Sequence, residues 1–382
     1  MREYRNVSRR RFFGGTLGGA IAASVGPSFS SLAWANERSL KALAKEKGIV
    51  FGSSVGAGKA GTLASSFRDP RYLAILKQEC AVLVPENELK SYVIASTPAQ
   101  YNFEPADQIA GFAKNNGLKL RGHTLLWNRG EYMPAWLRDS FAKLTPASGE
   151  QYLRDYIQRV CSHYGDQIYS WDVVNETVDP GTGEVRDTPI TQVLGFDALR
   201  IAFESAREYA PKAQLVYNDY MSWEAGNEKH RAGVLALLER FKTSKVPVDA
   251  LGIQSHIGND GHIHSPQMKE WRAFIDEVVA MGYRLLITEF DVNDKDLPGT
   301  ASVRDAQVAA AARHYLDVML SYKQLDQVLC WGMTDQYSWL QSFARRSDKT
   351  PQRPNPYDEN YRPKPLRTAI AEAFAAAPQR SA

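Results

Sequence analysis

Two glutamates in this sequence, Glu176 and Glu289, stand near the ends of apolar runs. Glu176 closes the segment 171–176, and Glu289 lies in the segment 288–291, which also contains Asp291. Two carboxylates that flank one bond are the equipment for glycoside hydrolysis. One gives a proton to the leaving oxygen, and the other, ionised, attacks the anomeric carbon or activates water. The sequence does not give their separation, so both stereochemical outcomes stay open at this point.

Further polar and aromatic side chains follow other apolar runs, and their types suit the binding of a sugar. Amides and the ammonium group of Lys90 hydrogen-bond hydroxyl groups, while the rings of Trp127, Trp331 and Trp339 offer flat apolar faces. One isolated Glu after a strand is more often a charge at a helix N-terminus, but seven consecutive polar ends do not fit that explanation. These ends are residues 85–90, 121–127, 171–176, 217–220, 254–256, 288–291 and 331–335.

The elements that must position these residues alternate regularly between strand-like and helical patterns. Several of the apolar runs are nearly continuous in Val, Ile and Leu, as in strands buried on both faces. Eight parallel strands separated by helices predict an α/β fold, a single (β/α)8 TIM barrel with its active site at the carboxyl ends of the strands. An open doubly wound sheet is the alternative. The predicted strands are 49–52, 81–84, 118–124, 168–174, 214–217, 250–253, 285–287 and 328–331, and helical patterns include 198–209, 229–241, 267–281 and 306–321.

Taken together in order and spacing, the motifs at the strand ends resemble those of glycoside hydrolase family 10, whose members are mostly endo-1,4-β-xylanases. The likeness extends from Val50 to Tyr361, nearly the whole chain after its first 35 residues. The motifs that carry it are Glu86-Asn87-x-x-Lys90, His123-x-x-x-Trp127, Trp171-Asp172-Val173-Val174-Asn175-Glu176, Gln254-x-His256, Thr288-Glu289-x-Asp291 and Trp331-Gly332-x-Thr334-Asp335.

The resemblance implies retaining hydrolysis of β-1,4-xylosidic bonds within xylan by double displacement. Glu176 would be the general acid/base and Glu289 the nucleophile, while His256 and Asp291 would orient Glu289 and keep it ionised. Asn218 and Tyr220 would lie toward the leaving-group side. The implied substrate-binding residues are Glu86, Asn87, Lys90, His123, Trp127, Asn175, Asn218, Tyr220, Gln254, Trp331 and Trp339.

Two positions depart from the family pattern. Members usually continue His-x-x-x-Trp with a second His, where this sequence has Asn128, and often place Trp after the Lys of the second strand, where it has Ser91. Both positions lie outside the catalytic pair. They are expected to change substrate positioning rather than the reaction.

The first 35 residues read as an export signal. Five of the 46 basic residues and one of the 43 acidic residues lie there, followed by a Gly- and Ala-rich apolar stretch and an Ala33-Trp34-Ala35 cleavage pattern. Residues 8–13 resemble the core of twin-arginine signals. Export to the periplasm or the medium is therefore expected, with residues 36–382 as one catalytic domain. That domain carries a net charge of −1, so neither a nucleic-acid partner nor, after signal removal, a membrane is expected.

The sequence gives little support for disulfide bonds, a metal site or a nucleotide cofactor. Cys80, Cys161 and Cys330 are odd in number and far apart, which predicts buried thiols rather than disulfides or a zinc site. Gly56-x-Gly58-x-x-Gly61 matches a dinucleotide fingerprint literally, but residues 62–70 read as a flexible loop instead of a helix. His262 and His264 lack a third ligand nearby, so no metal and no cofactor are expected. Asp172, Asp219 and Asp335 are expected to make structural hydrogen bonds.

The expected partners are xylan and xylo-oligosaccharides, bound by a monomer. The nearest alternative is a retaining β-glycanase that acts on glucan or mannan. A non-catalytic polysaccharide-binding barrel is a third possibility, against which the presence of both Glu176 and Glu289 argues. An exported cofactor oxidoreductase is a fourth, and the sequence holds no cysteine cluster that would support it.

Overall fold

Eight parallel β-strands close into a barrel in the computed structural model, which describes residues 38–98, 100–258 and 268–380. Each strand pairs with the next along the chain, and the eighth returns to pair with the first, so the sheet has no free edge. The predicted (β/α)8 barrel is confirmed, and the open-sheet alternative is wrong. The strands are β1 Val50–Val55, β2 Val82–Pro85, β3 Lys119–Trp127, β4 Ile168–Asn175, β5 Gln214–Asp219, β6 Ala250–Ile253, β7 Arg284–Val292 and β8 Leu325–Cys330.

Helices fill the connections between the strands and cover the outside of the barrel. The described α-helices are α1 Leu40–Glu46, α2 Pro70–Glu79, α3 Ser91–Ile94, α4 Glu104–Asn115, α5 Ala135–Phe141, α6 Pro146–Tyr164, α7 Pro189–Leu194, α8 Asp197–Tyr209, α9 Glu228–Thr243, α10 Met268–Ala280, α11 Ala301–Leu320, α12 Leu340–Phe343 and α13 Pro365–Ala376. Short 3-10 helices occur at Leu63–Arg68, Gly130–Tyr132, Gly165–Gln167 and Asp335–Tyr337.

Six of the eight strands end later than the apolar runs predicted, while β6 ends as predicted and β8 ends one residue earlier. β7 was expected over 285–287 but extends through Glu289 and Asp291 to Val292. Parallel strands pair through backbone groups, so pairing continues after the side chains change from apolar to polar. A two-residue strand, His256–Ile257, pairs with the end of β7 and places His256 opposite Asp291. At the ends of β3, β4, β5 and β7, most of the polar residues are therefore part of the sheet, which fixes their backbone.

The predicted buried thiols are confirmed, and the helical pattern predicted over 267–281 contributes to the core. On α10, Trp271, Phe274, Ile275 and Val278 are all buried and recur at helical spacing. Cys80, Cys161 and Cys330 are buried free thiols, and burial raises the pKa of Cys161 to about 12. A neutral, buried thiol is a weak nucleophile, so these cysteines act as small core residues.

The segment after β1 contains a 3-10 helix, so the expectation of a loop there was wrong. Gly58 donates its backbone N–H to the carbonyl oxygen of Ala64 at 2.7 Å. A Cβ at Gly56 would lie 2.6 Å from that same oxygen and 2.8 Å from Glu86 Oε2. These glycines thus allow close packing of the β1 end against the 3-10 helix.

Residues Ser39–Ala382 form one compact unit. The predicted export signal, residues 1–35, and the two histidines considered as metal ligands, His262 and His264, lie outside the described residues. Within the described part of the chain, the helices are all too short or too polar to cross a bilayer.

A buried ion cluster joins β3 to β4, and its loss is expected to destabilise the barrel. Asp172 Oδ2 accepts from Arg121 Nη1 at 2.6 Å and lies 2.9 Å from His123 Nδ1, and all three residues are buried. Asp172→Asn would leave the Arg121 charge buried without a counter-charge, which costs about 3–5 kcal/mol. Urea unfolding should report this loss. Asp139→Asn, in an exposed pair with Arg138, is the matched control, and an unaltered midpoint for Asp172→Asn would contradict the prediction.

Candidate active site

Both glutamates singled out in the sequence line one cleft of about 640 Å³ at the carboxyl ends of the strands. Glu289 projects from β7, and Glu176 follows directly after β4. Most of the predicted site residues line the same cleft. Its lining consists of Lys90, His123, Trp127, Arg129, Tyr132, Glu176, Tyr220, Gln254, His256, Glu289, Asn293, Lys295, Trp331, Trp339, Phe343 and Ala344.

Glu289 is a buried carboxylate with a hydrogen-bond donor on each oxygen. Asn218 Nδ2 donates to Oε1 at 2.8 Å, and His256 Nε2 lies 3.3 Å from Oε2. Burial alone would raise the pKa of Glu289, but the hydrogen bond from His256 and the charges of His123, His256 and Lys90 lower it to about 2. Glu289 is therefore ionised at neutral pH, as attack on carbon requires.

His256 connects Glu289 to a second carboxylate. Its Nδ1 lies 2.8 Å from Asp291 Oδ1, and Asp291 Oδ2 accepts from Trp339 Nε1 at 2.8 Å. Burial opposes the positive charge of the imidazole, but the charge and hydrogen bond of Asp291, together with Glu289, raise the pKa of His256 to about 10. The predicted chain of Asp291, His256 and Glu289 is thus present as an imidazolium between two carboxylates.

Glu176 has a backbone conformation that few non-glycine residues adopt. Its φ is +53°, in the left-handed region. Its N–H donates to the carbonyl of Asn218 at 2.9 Å, and its carbonyl accepts from Arg186 Nε at 2.8 Å. Strained conformations persist only where the surroundings hold them, and they occur often at functional sites. The two hydrogen bonds supply that support here.

The carboxylate of Glu176 also has a donor on each oxygen. Gln254 Nε2 donates to Oε1 at 2.9 Å, and Arg129 Nη1 donates to Oε2 at 3.0 Å. The backbone carbonyl of Gln254 accepts from the N–H of Glu289 at 2.9 Å. Gln254 is therefore hydrogen-bonded to both glutamates, through its side chain to the Glu176 carboxylate and through its backbone carbonyl to the N–H of Glu289.

Asn218, which was predicted toward the leaving-group side, has a fully buried side chain that donates to Asn175 Oδ1 at 2.8 Å as well as to Glu289. Thr288 Oγ1 donates to Asn218 Oδ1 at 2.7 Å. Asn175 Nδ2, by contrast, is buried without a hydrogen bond to any described residue. That leaves the Asn175 amide as a donor for another molecule.

The end of β2 supplies a further set of polar side chains, Glu86, Asn87 and Lys90. Lys90 Nζ donates to Asn87 Oδ1 at 3.3 Å and lies 4.5 Å from the Trp127 ring centroid. Burial lowers the pKa of Lys90, although the charges of Glu289 and Glu86 oppose this. Burial raises the pKa of Glu86 to about 7, against the charge of Lys90. The end of β2 thus offers an ammonium group, an amide and a carboxyl group for hydrogen bonding.

Aromatic rings line the cleft in two layers, of which the sequence indicated only the inner one. Tyr132 stacks on Trp127 at 4.0 Å between ring centroids, and Phe343 lies 4.5 Å from Trp339. Phe343 is 70% exposed and Tyr132 40%, values unusual for large apolar rings. Trp331 is buried and makes an edge-to-face contact with His123, at 5.3 Å between ring centroids. The outer rings extend the apolar surface of the inner tryptophans toward solvent.

The two departures from the family pattern have local explanations. Asn128 is fully buried, donates to Thr177 Oγ1 at 2.9 Å and accepts from Thr188 Oγ1 at 2.7 Å, so it holds the loop after β4 against β3. Ser91 begins α3. Beside it, the Tyr92 hydroxyl donates to Asn87 Oδ1 at 2.8 Å, so Tyr92 supports the β2 group.

The three spare aspartates make structural hydrogen bonds, as expected. Asp172 belongs to the ion cluster described above. Asp219 accepts from Tyr217 and lies 3.1 Å from His230 Nε2, while Asp335 accepts from Lys364 Nζ at 2.9 Å. Among the described residues, no group of three or more His, Cys, Asp or Glu side chains is arranged to hold a metal ion.

Several cleft residues were not found from the sequence. Arg129 and Tyr132 follow β3 beyond the His-x-x-x-Trp motif, Asn293 and Lys295 follow β7, and Phe343 ends a helix of four residues. The signal that could have found Arg129 is its position two residues after Trp127. The others carry no comparable spacing signal.

A comparison with protein families shows which family this chain belongs to. The model of glycosyl hydrolase family 10 matches residues 39–373. The chain belongs to glycosyl hydrolase family 10. It is therefore an enzyme, a glycoside hydrolase, as the resemblance of its motifs implied.

Proteins similar to this chain match it over most of their own length. A β-1,4-xylanase of Dictyoglomus thermophilum is 32% identical over 316 residues, covering 80% of this chain and 85% of that protein. Xylanase 10B of Thermotoga maritima matches the fold with a TM-score of 0.77 at 29% identity, covering 88% of this chain and 98% of that one. Xylanase 10B of Thermotoga petrophila, solved in complex with xylobiose, matches with a TM-score of 0.77 at 28% identity, covering 88% and 97%.

Proposed function

We propose that this family 10 enzyme hydrolyses internal β-1,4-xylosidic bonds of xylan with retention, using Glu289 as nucleophile and Glu176 as general acid/base. The observation that supports this best is the contrast between the two glutamates in one cleft. Glu289 is kept ionised by His256, whereas Glu176 accepts from the Gln254 amide and from Arg129, whose side chain is 25% exposed. The two carboxylates thus lie in one cleft with different hydrogen-bond partners, as a pair with two different roles would.

In the first step, the acid form of Glu176 gives its proton to the glycosidic oxygen while Glu289 attacks the anomeric carbon. The bond from that carbon to the leaving oxygen breaks, and a glycosyl-enzyme ester forms on Glu289. In the second step, the Glu176 carboxylate removes a proton from water as the water oxygen attacks the same carbon. Glu289 leaves as a carboxylate, and Glu176 is again protonated.

The remaining cleft residues are proposed to bind the sugar chain. The Asn175 amide and the Trp127 indole N–H are buried donors without partners among the described residues, so both can donate to hydroxyls of the substrate. Gln254, which donates to Glu176, is proposed to bind the sugar beside it, and Tyr220 is proposed to lie toward the leaving group. Asn218 is assigned to the orientation of Glu289 and Asn175. The rest of the proposed binding set is Lys90, His123, Trp331 and Trp339, which line the cleft with Tyr132 and Phe343 at its rim, and Glu86 and Asn87 at the end of β2 near Lys90.

Xylan is proposed as the substrate because the matched relatives are named as xylanases and the T. petrophila enzyme was solved with xylobiose. Product analysis of xylohexaose by anomeric NMR tests substrate, cleavage site and stereochemistry together. The β-anomer should appear first, from internal cleavage. First appearance of the α-anomer would contradict retention, and faster cleavage of cellohexaose would favour a glucanase instead.

We also propose that residues 1–35 direct export by the twin-arginine route and that residues 36–382 act as one monomeric catalytic domain in the periplasm or the medium. The support is the arginine-rich start and the cleavage pattern of the sequence. Replacement of Arg9 and Arg10 by Lys should retain the enzyme in the cytoplasm, which activity in cell fractions would show. Undiminished export of that variant would contradict the route.

His256→Asn is expected to move the acidic limb of the pH profile of kcat/KM to higher pH. The nucleophile is active only when it is ionised. Activity is therefore lost as the pH falls through the pKa of Glu289. His256 helps to lower that pKa to about 2. Without His256, the loss of activity should therefore begin at a pH that is higher by about one unit or more. Rates on xylohexaose across pH measure the limb. His163→Asn, an exposed histidine paired with Asp107, is the control, and coincident limbs in all three proteins would argue against this role of His256.

A further inference from the structure

Arginine and lysine side chains line a second cavity, in the segment that follows α12. The cavity has a volume of about 570 Å³, which is within the range of small-molecule sites. Two of its lining residues, Arg345 and Lys349, have exposed side chains that make no hydrogen bond or ion pair with any described residue. The remaining lining residues are Gln341, Arg346, Thr350, Pro351 and Gln352.

This second cavity adjoins the candidate active site. Ala344 lines the cleft, and the next residue, Arg345, lines the cavity. Arg346 Nη1 donates to the backbone carbonyl of Lys295 at 2.9 Å, which brings the segment after β7 to the same place. Lys295 lines the cleft, is exposed, and has an ammonium group without a partner among the described residues. Together, Lys295, Arg345 and Lys349 form a basic patch at the edge of the cleft.

The other polar side chains of the cavity are already hydrogen-bonded within the protein. Arg346 Nη2 donates to Asp348 Oδ2 at 2.8 Å, and Thr350 Oγ1 donates to Asp348 Oδ1 at 2.8 Å. Gln341 Oε1 accepts from the backbone N–H of Gln352 at 3.1 Å. The donors that remain for a ligand are therefore the cations of the basic patch.

Nearby acids do not neutralise the basic patch. Asp348 is paired with Arg346, and Asp294 with Arg304. Asp296 is exposed and is the one acid of the segment 294–297 that has no ion pair with a described cation. The patch therefore keeps a local excess of positive charge, although residues 36–382 as a whole carry a net charge of −1.

Exposed cations beside a sugar-binding cleft suit a carboxylate that is attached to the sugar chain. Unbranched xylan is neutral and gains no charge interaction at such a patch. A uronic acid side group carries a carboxylate at neutral pH, and arginine and lysine bind carboxylates through charge-assisted hydrogen bonds. Phe343, two residues before Arg345, is 70% exposed and offers its ring to a sugar of the main chain. A chain that passes over Phe343 would bring its side groups close to Arg345.

We propose that the basic patch is a binding site for a uronic acid side group of xylan. Arg345 and Lys349 bind the carboxylate in the second cavity, and Lys295 attracts it from the side of the cleft. This inference rests on the proposed function, because it specifies the form of xylan that the enzyme prefers. The expected consequence is faster cleavage of acidic xylan than of a neutral polymer with the same branches.

The test uses glucuronoxylan and the same polymer after chemical reduction of its carboxyl groups to alcohols. The two polymers differ in charge but keep the same branches. In low salt, the kcat/KM of wild type should be about tenfold higher on glucuronoxylan than on the reduced polymer. This ratio should fall about threefold in Arg345→Gln and to about one in Arg345→Gln/Lys349→Gln, while kcat/KM on the reduced polymer stays within about twofold. Sodium chloride at about 0.5 M should lower the wild-type ratio, because salt screens exposed charges.

Lys242→Gln/Lys245→Gln removes two exposed cations at the end of α9 and is the matched control, so its ratio should equal that of wild type. Equal kcat/KM of wild type on the two polymers would overturn the proposal, and so would a ratio that Arg345→Gln/Lys349→Gln leaves unchanged. An equal loss on both polymers in Arg345→Gln and in the double variant would also overturn it, because these residues would then act on the neutral main chain or on the fold. A wild-type enzyme that cleaves neither polymer would instead overturn the proposed function.

Discussion

Glu289→Ala is expected to abolish turnover of xylo-oligosaccharides, with a loss of at least about 10⁴-fold, while the barrel stays folded. Without the carboxylate, no oxygen is in place to attack the anomeric carbon or to balance its positive charge in the transition state. The fold should persist because His256 keeps its hydrogen bond to Asp291, and Asn218 keeps those to Asn175 and Thr288.

Reducing-sugar release from xylohexaose measures the loss, and circular dichroism during heating measures the fold. Binding of xylotetraose to the inactive variant by calorimetry shows whether the cleft is intact. Glu277→Gln, at an exposed position of α10, is the control and should behave as wild type. Substantial activity in a well-folded Glu289→Ala would contradict the assignment of the nucleophile.

The sequence was sufficient for the barrel because its signals are local and repeated. Eight apolar runs separated by helical patterns require only periodicity to be read, and a polar end after each run places the site at one face of the barrel. The length of β7 was underestimated for a physical reason. Hydrophobicity reports burial in the core, whereas β7 continues as paired backbone through Glu289 and Asp291, where its side chains enter the cleft.

Contacts between strands that are distant in sequence could not be read in the same way. The bond from Asn218 to Glu289 joins β5 to β7 across 71 positions, and only the closed barrel brings them together. The same holds for Arg129, which reaches Glu176 from a loop that no motif describes. The left-handed backbone of Glu176 is likewise invisible in sequence, because its cause is hydrogen bonding to Asn218 and Arg186.

Glu176→Ala is expected to show a loss of activity that depends on the leaving group. Hydrolysis of xylohexaose should fall by about 10²–10⁴-fold, because the alkoxide must leave without a proton. On 2,4-dinitrophenyl β-xylobioside, the first step should proceed at nearly the wild-type rate. The second step then lacks its base, so a burst of dinitrophenolate equal to the enzyme concentration should precede a slow steady state.

The addition of azide tests directly whether Glu176 is the acid/base. An anion attacks carbon without losing a proton, so azide should replace water in Glu176→Ala and restore kcat on the activated substrate. The product should be the β-glycosyl azide, since attack on the ester of Glu289 inverts a configuration that its formation had already inverted. Glu131→Ala removes a neighbouring carboxylate that also contacts Arg129 but keeps Glu176, so azide should not accelerate it. Rescue in Glu131→Ala, or an α-azide from Glu176→Ala, would place the acid/base or the nucleophile elsewhere in the cleft.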